Sequence, residues 1–591
     1  MGSEAKRDPT HTRERIPPHL RQYVVHQDLG QYKEIDQAVW RFVLLQLHTR
    51  LQATAHSAYV EGLAATGIGV ERIPSIDAMD ALLARSGWGA VCVDGFLPPL
   101  AFQEFQALGI LPISANMRSL DHLVYTPAPD IIHEAAGHAP ILSDTVYADY
   151  LRKIGRAGAL AFSSREDGRL YRAVFTLSEV KEESNATQAQ LDAAERAVRD
   201  AQSQVSESSE AARLSRLYWW TAEYGLIGRC EEYRLYGAGL LSSLSESHFC
   251  HDVSVKKLPL SAACLDVPFD ITKAQPQLFV ARDFEQLHEV LHEAEASLAH
   301  ALGGLRALTV ARASGELATL EFERGPELIG QVVDFGINEQ VEWVAVAGPV
   351  AWVAQGEIEA RSPALEEPML VPIGKLRGTS SEFLSEEEFC RIFSAIGGEA
   401  ELEWDSGFRC RGILERTWLN AERLVLGVTL GNFLLTHSGS PEHTRSGEHL
   451  ELGLVSRFRM LRRGASCSDF YPPTQFSERR IPKPRIFNQT QQSLLGLYER
   501  AVLVFRSELG SRAAQEFETL YRRLQQEFPD EWLLRWNLLE CLLKLDFSGP
   551  LRGELVSDLE DLEIRYQHRQ PVASGLRYLE GLVRSDSTKR D

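Results

Sequence analysis

The sequence predicts three structural regimes in series: a mainly α-helical region to about residue 306, a β-rich region over 310–480, and a helical C-terminal region over 488–585. Three observations predict this. Apolar residues recur at helical spacing from Tyr32 onward, in Trp40, Val43, Leu44, Leu47 and Leu51. Beyond about 307 the period falls to two, so that Ala318, Leu320 and Phe322 alternate with Thr319, Glu321 and Glu323. Pro472, Pro473, Pro482 and Pro484 then mark a linker, after which Leu494, Leu497, Tyr498, Ala501, Val502 and Phe505 restore the helical period.

The elements follow in order. Residues 1–30 are polar and proline-bearing and read as a flexible, partly docked tail ahead of a first domain over 31–306. Residues 75–115 read as short helices and strands. A helix is expected from near Pro129-Asp130, with Asp130 at its N-terminal end and Gly137 and Pro140 bringing it to a stop. Residues 166–212 are rich in Ala, Gln, Glu, Ser and Arg, which reads as an inserted long helix or helical hairpin with few large apolar residues. Helix returns near Leu214 and again over 283–302, where Phe284, Leu287, Val290, Leu291, Ala294 and Leu298 share a face. The region 310–480 suggests a small barrel or sandwich, and 488–585 stacked helical hairpins without a convincing 34-residue repeat.

At 591 residues the chain exceeds what one core supports, so two to four domains are expected. A net charge of −20 argues against nucleic acid as a main partner. The eight cysteines are scattered with no CxxC pair, which suits reduced thiols in a cytoplasmic enzyme. No leading apolar segment suggests export, and no apolar run reaches the length of a membrane span.

The chemistry concentrates in Tyr125-Thr126-Pro127-Ala128-Pro129-Asp130-Ile131-Ile132-His133-Glu134-Ala135-Ala136-Gly137-His138-Ala139-Pro140. His133 and His138 stand at i and i+5, an offset of roughly 140° on an ideal α-helix. Both imidazoles can face one metal only if the helix is distorted, and Gly137 and Pro140 offer that distortion. The i, i+4 spacing of the H-E-x-x-H zinc peptidase signature is absent here. Two imidazoles and one carboxylate make the facial triad of non-heme Fe(II) oxygenases. From residues alone, however, the pair is equally two ordinary helix histidines, and no particular distant carboxylate is singled out as third ligand.

Further motifs occur in order: Arg118 upstream, Tyr218-Trp219 with Thr221 and Glu223, and Tyr236-Gly237-Ala238-Gly239-Leu240-Leu241-Ser242-Ser243. With them, residues of about 30–305 resemble the pterin-dependent aromatic amino acid hydroxylases, the family of phenylalanine, tyrosine and tryptophan hydroxylases. The resemblance implies a mainly α catalytic domain and an iron- and tetrahydropterin-dependent monooxygenase using O2. It implies His133, His138 and Glu223 as Fe(II) ligands and Glu134 as a catalytic acid near iron and pterin. Arg118 resembles the arginine that holds the substrate carboxylate, for which a planar guanidinium fork is suited. Thr126 and Pro127 resemble pocket residues, and Trp219 the aromatic wall of that pocket. Ser242 resembles a serine of the same pocket that supports an iron-ligating histidine. Gly95, Leu97, Phe102 and Tyr218 fall where a tetrahydrobiopterin-like cosubstrate would bind. Taken singly, Arg118 also reads as a surface ion pair, Glu134 as a solvated helix carboxylate, and Phe102, Trp219 and Trp220 as core.

The chain departs from the family pattern in places. His133 and Glu223 are 90 residues apart, about twice the family habit, and the 166–212 stretch accounts for the excess. Ala135 and Ala136 replace bulkier residues, and Trp220 stands where Phe is usual. These changes bear on which ring is hydroxylated, L-phenylalanine to L-tyrosine being the expectation, with tryptophan, tyrosine or a carrier-tethered aromatic amino acid as variants. The resemblance gives no account of 310–591, for which a protein partner, a carrier protein or self-association are the candidate roles. Two other classes compete, a zinc hydrolase and a non-catalytic scaffold; the i, i+5 spacing opposes the first and an intact ligand set the second.

Overall fold

The computed structural model describes residues 12–95, 97–120, 123, 129–182, 187–205, 208–271, 273–338, 340–362, 367–379, 381, 383–438, 444–467, 470, 487–506, 511–547, 549–565 and 570–587. Of residues 1–30, expected as a flexible, partly docked tail, the described part from residue 12 is docked: Ile16 and Leu20 are buried, Thr12 Oγ1 donates to Asp80 at 2.8 Å, and Val24 bridges to Val93.

The long helix Glu34–Thr54 (α1) buries Val39, Trp40, Phe42, Val43, Leu44, Leu47 and Leu51. Those residues occupy more than one face, which marks a helix enclosed on several sides. One side meets the body of the first domain. That body contains the parallel strand pair Gly89–Val93 and Ile110–Ser114, and a four-stranded sheet ordered Glu232–Leu235, Leu226–Arg229, Gln277–Ala281, Lys256–Pro259. The other side meets the C-terminal helices Gln489–Arg506, Leu533–Lys544 and Gln570–Ser587. Phe42 makes edge-to-face contacts with Trp532 and Trp536 at 5.0 and 4.9 Å. Arg41 forks onto Glu540 with two 2.7 Å bonds across 499 residues of sequence. The C-terminal helices, expected as a separate domain, therefore share one continuous hydrophobic core with the first domain.

The expected insertion is a helical hairpin, Arg165–Glu182 packed on Gln188–Ser203. It leaves the end of helix Thr145–Leu160 and returns into helix Glu210–Tyr218.

The described strands of the β region hydrogen-bond into one ten-stranded sheet whose two end strands do not pair with each other, so it is not a closed barrel among the described residues. Counting its strands in chain order from Leu317–Phe322 to Phe458–Arg463, they run sixth, seventh, eighth, ninth, fifth, third, second, first, tenth, with the fourth paired to the third. Pairing is antiparallel except between Met369–Pro372 and Arg445–Gly453. Helix Gly304–Ser314 inserts Ala307, Leu308 and Ala311 into the sheet's core, so the structural change begins before residue 310. Two of the sheet's clusters, around Trp352 and around Trp404, are distinct from the main core of the first domain, although the Trp352 cluster takes in Phe162 and Ala299 from that domain.

Candidate active site and metal centre

The two histidines lie on a π-helix, Ile132–His138, not on an α-helix that stops. In a π-helix the hydrogen bond spans i to i+5, so residues five apart return to the same side of the axis. This corrects the expectation that Gly137 and Pro140 end the helix: Pro140 sits within the helical turn Ala139–Ile141 that continues it. Gly137 serves a different purpose. A Cβ there would lie 2.8 Å from the Ala238 carbonyl, so glycine admits the segment that carries Ser242. Tyr59, from helix Ser57–Ala65, donates its buried hydroxyl to Ala136 O at 2.9 Å and holds the π turn from outside.

Glu223 lies on a second π-helix, Trp219–Glu223, which follows directly on helix Glu210–Tyr218. The expectation of helix returning near Leu214 is met, with this change of pitch at its end. Gly237 allows the Tyr236–Ser243 segment to cross this turn, because a Cβ there would collide with the Glu223 carbonyl. Gly239 is similarly tight, 3.0 Å from the same oxygen.

The two π turns bring three side chains together. Glu223 Oε1 is 3.1 Å from His138 Nε2, and Glu223 Oε2 is 3.2 Å from His133 Nε2. The imidazole rings stand nearly perpendicular, 87° apart with centroids 5.0 Å from each other. His133, Glu134 and His138 also offer ligand-type atoms within 4.8 Å of one another. Burial alone raises a carboxylate's pKa, but the two imidazoles outweigh it and hold Glu223 far below its usual range. Burial likewise acts to lower His133, and the Glu223 charge overrides it to about 9. For the carboxylate choice, the closer contacts to both Nε2 atoms favour Glu223 over Glu134.

Ser242 sets the tautomer of His133. Its Oγ donates to Ala238 O at 2.7 Å and lies 3.1 Å from His133 Nδ1. With its proton committed to the carbonyl, the serine accepts from Nδ1–H, which turns Nε2 toward Glu223, where a cation would take the place of its proton. A divalent cation needs that donor set: two neutral imidazole nitrogens and a carboxylate on one side. The residues present fit it. Ser242 thus touches the histidine, in line with the supporting role expected of it.

The other expected residues fall as follows. Arg118 is buried and clamped by Asp130, Nε to Oδ2 at 2.7 Å and Nη2 to Oδ1 at 2.8 Å. Asp130 also accepts from the His133 backbone N–H at 3.1 Å, which ties the arginine to the first π turn. Glu134 is buried, its Oε2 has no hydrogen-bond partner, and burial raises its pKa. Tyr218 ties the pterin-side residues to the histidines: its ring is 6.4 Å from that of His138 and edge-on to Phe102 at 5.9 Å, and its hydroxyl accepts from Gln106 Nε2 at 2.7 Å. Gly95 follows strand Gly89–Val93 with φ +66°. Leu97 packs with a separate cluster around Phe105 and Ile110. Trp219 stacks on Phe269 at 4.3 Å and Tyr224 at 4.6 Å, so rings of its own chain already engage it. Thr126 and Pro127 lie outside the described residues.

Sequence reasoning missed Asp130 as the partner of Arg118, although Asp130 stood inside the quoted motif. It missed Tyr59 and Gln106 altogether, and nothing in their sequence neighbourhoods distinguishes them from ordinary core residues.

The comparisons with known proteins agree with this geometry. Residues 12–191 and 200–303 match the family described as biopterin-dependent aromatic amino acid hydroxylase. A phenylalanine-4-hydroxylase of Ralstonia nicotianae is 30% identical over 286 residues, covering 48% of this chain and 77% of that protein. A phenylalanine-4-hydroxylase of Pseudomonas aeruginosa is 28% identical over 289 residues, covering 47% of this chain and 92% of that protein. Among solved structures, phenylalanine hydroxylase of Chromobacterium violaceum with bound iron(III) and 7,8-dihydrobiopterin aligns at 26% identity and TM-score 0.38, over 49% of this chain and 90% of that one. Two histidines and a glutamate brought together by paired π turns, inside a matched span that stops at residue 303, place this chain in the biopterin-dependent aromatic amino acid hydroxylase family.

Proposed function

We propose that this enzyme hydroxylates the ring of free L-phenylalanine to give L-tyrosine, using O2, a tetrahydropterin and one Fe(II) held by His133, His138 and Glu223. The observation that carries the reading is the meeting of both Nε2 atoms with the two Glu223 oxygens at 3.1 and 3.2 Å inside the family-matched span. Iron and pterin supply the reductive activation of O2, a reaction that protein side chains do not perform.

The chain's own residues do the rest. Ser242 holds the His133 ring so that Nε2 is aimed at the position the cation would take. Asp130 occupies the Nε–Nη2 edge of Arg118 and fixes the plane of the guanidinium. The remaining Nη1–Nη2 edge is the fork suited to the substrate carboxylate. Trp219, rigid in its stack, limits the pocket by its edge. Gly95, Leu97, Phe102 and Tyr218 form the pterin side, and Glu134, buried with one oxygen unpartnered, stands next to it. All eight cysteines are free, which supports a cytoplasmic setting, and no described helix is long and apolar enough to cross a membrane.

The test is anaerobic loading with Fe(II), then O2 and tetrahydrobiopterin with phenylalanine, tyrosine and tryptophan separately. Tyrosine from phenylalanine, with a preference over the other two, is the expected outcome. No product from any of them would reject the reading, as would full activity in His138→Ala. Ser242→Ala should weaken Fe(II) affinity by about 10- to 100-fold while leaving the fold intact.

A further inference from the structure

A cavity of about 430 Å³ lies between α1 and the C-terminal helices Gln489–Arg506 and Leu533–Lys544. It opens to solvent along one side, where Arg72, Phe505 and Arg506 are exposed. It falls in the size range of small-molecule sites. It is also remote from the metal centre in its lining, which includes none of the residues assigned to iron, pterin or substrate.

The lining is divided. Val502, Phe505, Leu534 and Leu538 give it an apolar wall. Its floor is charged but internally matched: Arg41 forks onto Glu540 at 2.7 Å and binds Glu71 at 2.7 Å, while Lys544 reaches Glu540 at 3.1 Å. Two further cations, Arg72 and Arg506, line the cavity, are exposed, and form no ion pair among the described residues. Only one further carboxylate, Glu34, stands against them, so the lining carries an excess positive charge. Asn537 contributes a buried Oδ1 with no hydrogen-bond partner, an acceptor waiting for an N–H or O–H.

We propose that this cavity is a binding site for a small amphipathic carboxylate, its apolar body against Val502, Phe505, Leu534 and Leu538 and its anionic group between Arg72 and Arg506. Guanidinium groups are the strongest side-chain partners for a carboxylate, and two unpaired ones beside an apolar wall select for one charge sign. A neutral molecule of the same shape would gain the apolar contacts alone, and an amine would meet repulsion.

Three isosteric probes test this on the full-length iron-loaded protein by calorimetric titration: 4-phenylbutyrate, 4-phenylbutanol and 4-phenylbutylamine. The carboxylate should bind at one site per chain outside the active site, at least about tenfold tighter than the alcohol, with the amine weakest. Val502→Trp, which fills the cavity, should abolish that site. Arg72→Gln combined with Arg506→Gln should lower carboxylate affinity to that of the alcohol. The double variant alters exposed residues only, so it decides the matter even if Val502→Trp does not fold. Carboxylate binding that survives both changes belongs to the active site and overturns the proposal. So does the absence of binding, or equal affinity for all three probes.

Discussion

The ten-stranded sheet and the C-terminal helices are both additions to the hydroxylase region, yet they are joined to it in opposite ways. The sheet follows directly in sequence and centres its cores on Trp352 and Trp404, the first of which takes in Phe162 and Ala299 of the hydroxylase region. Its contact with the catalytic region includes a polar seam: Glu316 accepts from Ser163 N–H and Oγ at 3.0 and 2.7 Å, and pairs with Arg463. The C-terminal helices come last in sequence but enter the core of the first domain through Phe42 and the Arg41–Glu540 fork. Order along the chain therefore says little about energetic coupling. What counts is how far apolar side chains interdigitate: of the described hydroxylase residues, Phe162 and Ala299 alone enter the sheet's buried cluster, whereas α1 and the C-terminal helices share one core.

The largest test of that contrast is Phe42→Ala. It removes two edge-to-face contacts and leaves a cavity in the shared core, at a cost of about 3–5 kcal/mol. Chemical denaturation followed by tryptophan fluorescence and far-ultraviolet circular dichroism should show hydroxylase region and C-terminal helices unfolding together at lower denaturant. If the hydroxylase region kept its midpoint while the helices alone came loose, the shared core would be an error. Next is Glu540→Ala, which strips Arg41 of its buried partner but leaves it Glu71; a loss of about 3 kcal/mol in the same transition is expected. Glu316→Ala should cost about 2 kcal/mol, read as faster hydrogen exchange along the Ser163–Arg463 seam. Phenylalanine turnover should be unaffected by it. Coupled loss of activity would place the sheet in the same cooperative unit as the site and erase the contrast.

The smallest effect lies where α1 reaches the active-site side. There Arg50 donates to Leu244 O and Ser247 Oγ, both at 2.9 Å, just past Ser242. Burial pushes neighbouring Glu246 up to about 7 from the ordinary 4.5. A folded-state pKa raised in this way means that the native protein binds the proton more tightly than the unfolded chain does. Stability should therefore fall as pH rises from about 4.5 to about 7, and Glu246→Gln should flatten that slope. An unchanged pH profile in the variant would assign the slope to another group.

Much of the site was legible only through the resemblance, on ordered motifs that carry His133, His138, Glu223 and Ser242; residue types alone left the histidine pair ambiguous and the carboxylate open. The geometry was less legible. The i, i+5 spacing announced a distortion, and Gly137 and Pro140 seemed to explain it as a helix end. Instead the pitch itself changes, and Gly137 is there because Ala238 O lies against it. Arg118 was read for its substrate role, while its pairing with Asp130 escaped notice because an ion pair twelve residues apart leaves no periodic trace. The fate of the C-terminal helices had a signal that went unused. Val39, Trp40, Phe42, Val43 and Leu44 are too many apolar residues for a helix with one buried side.

The sequence by itself determined the ligand types, the helical and strand periods, the hairpin insertion and the change to β structure after about 307. These follow from local rules, since periodicity and glycine placement act within a few residues. Only the tertiary structure decided that two π turns face each other across the metal site, that the strands form one open sheet, and that the last helices close back on α1. Periodicity specifies which face of an element must leave water. It does not specify the partner that covers that face, because any apolar surface of fitting shape satisfies the same demand.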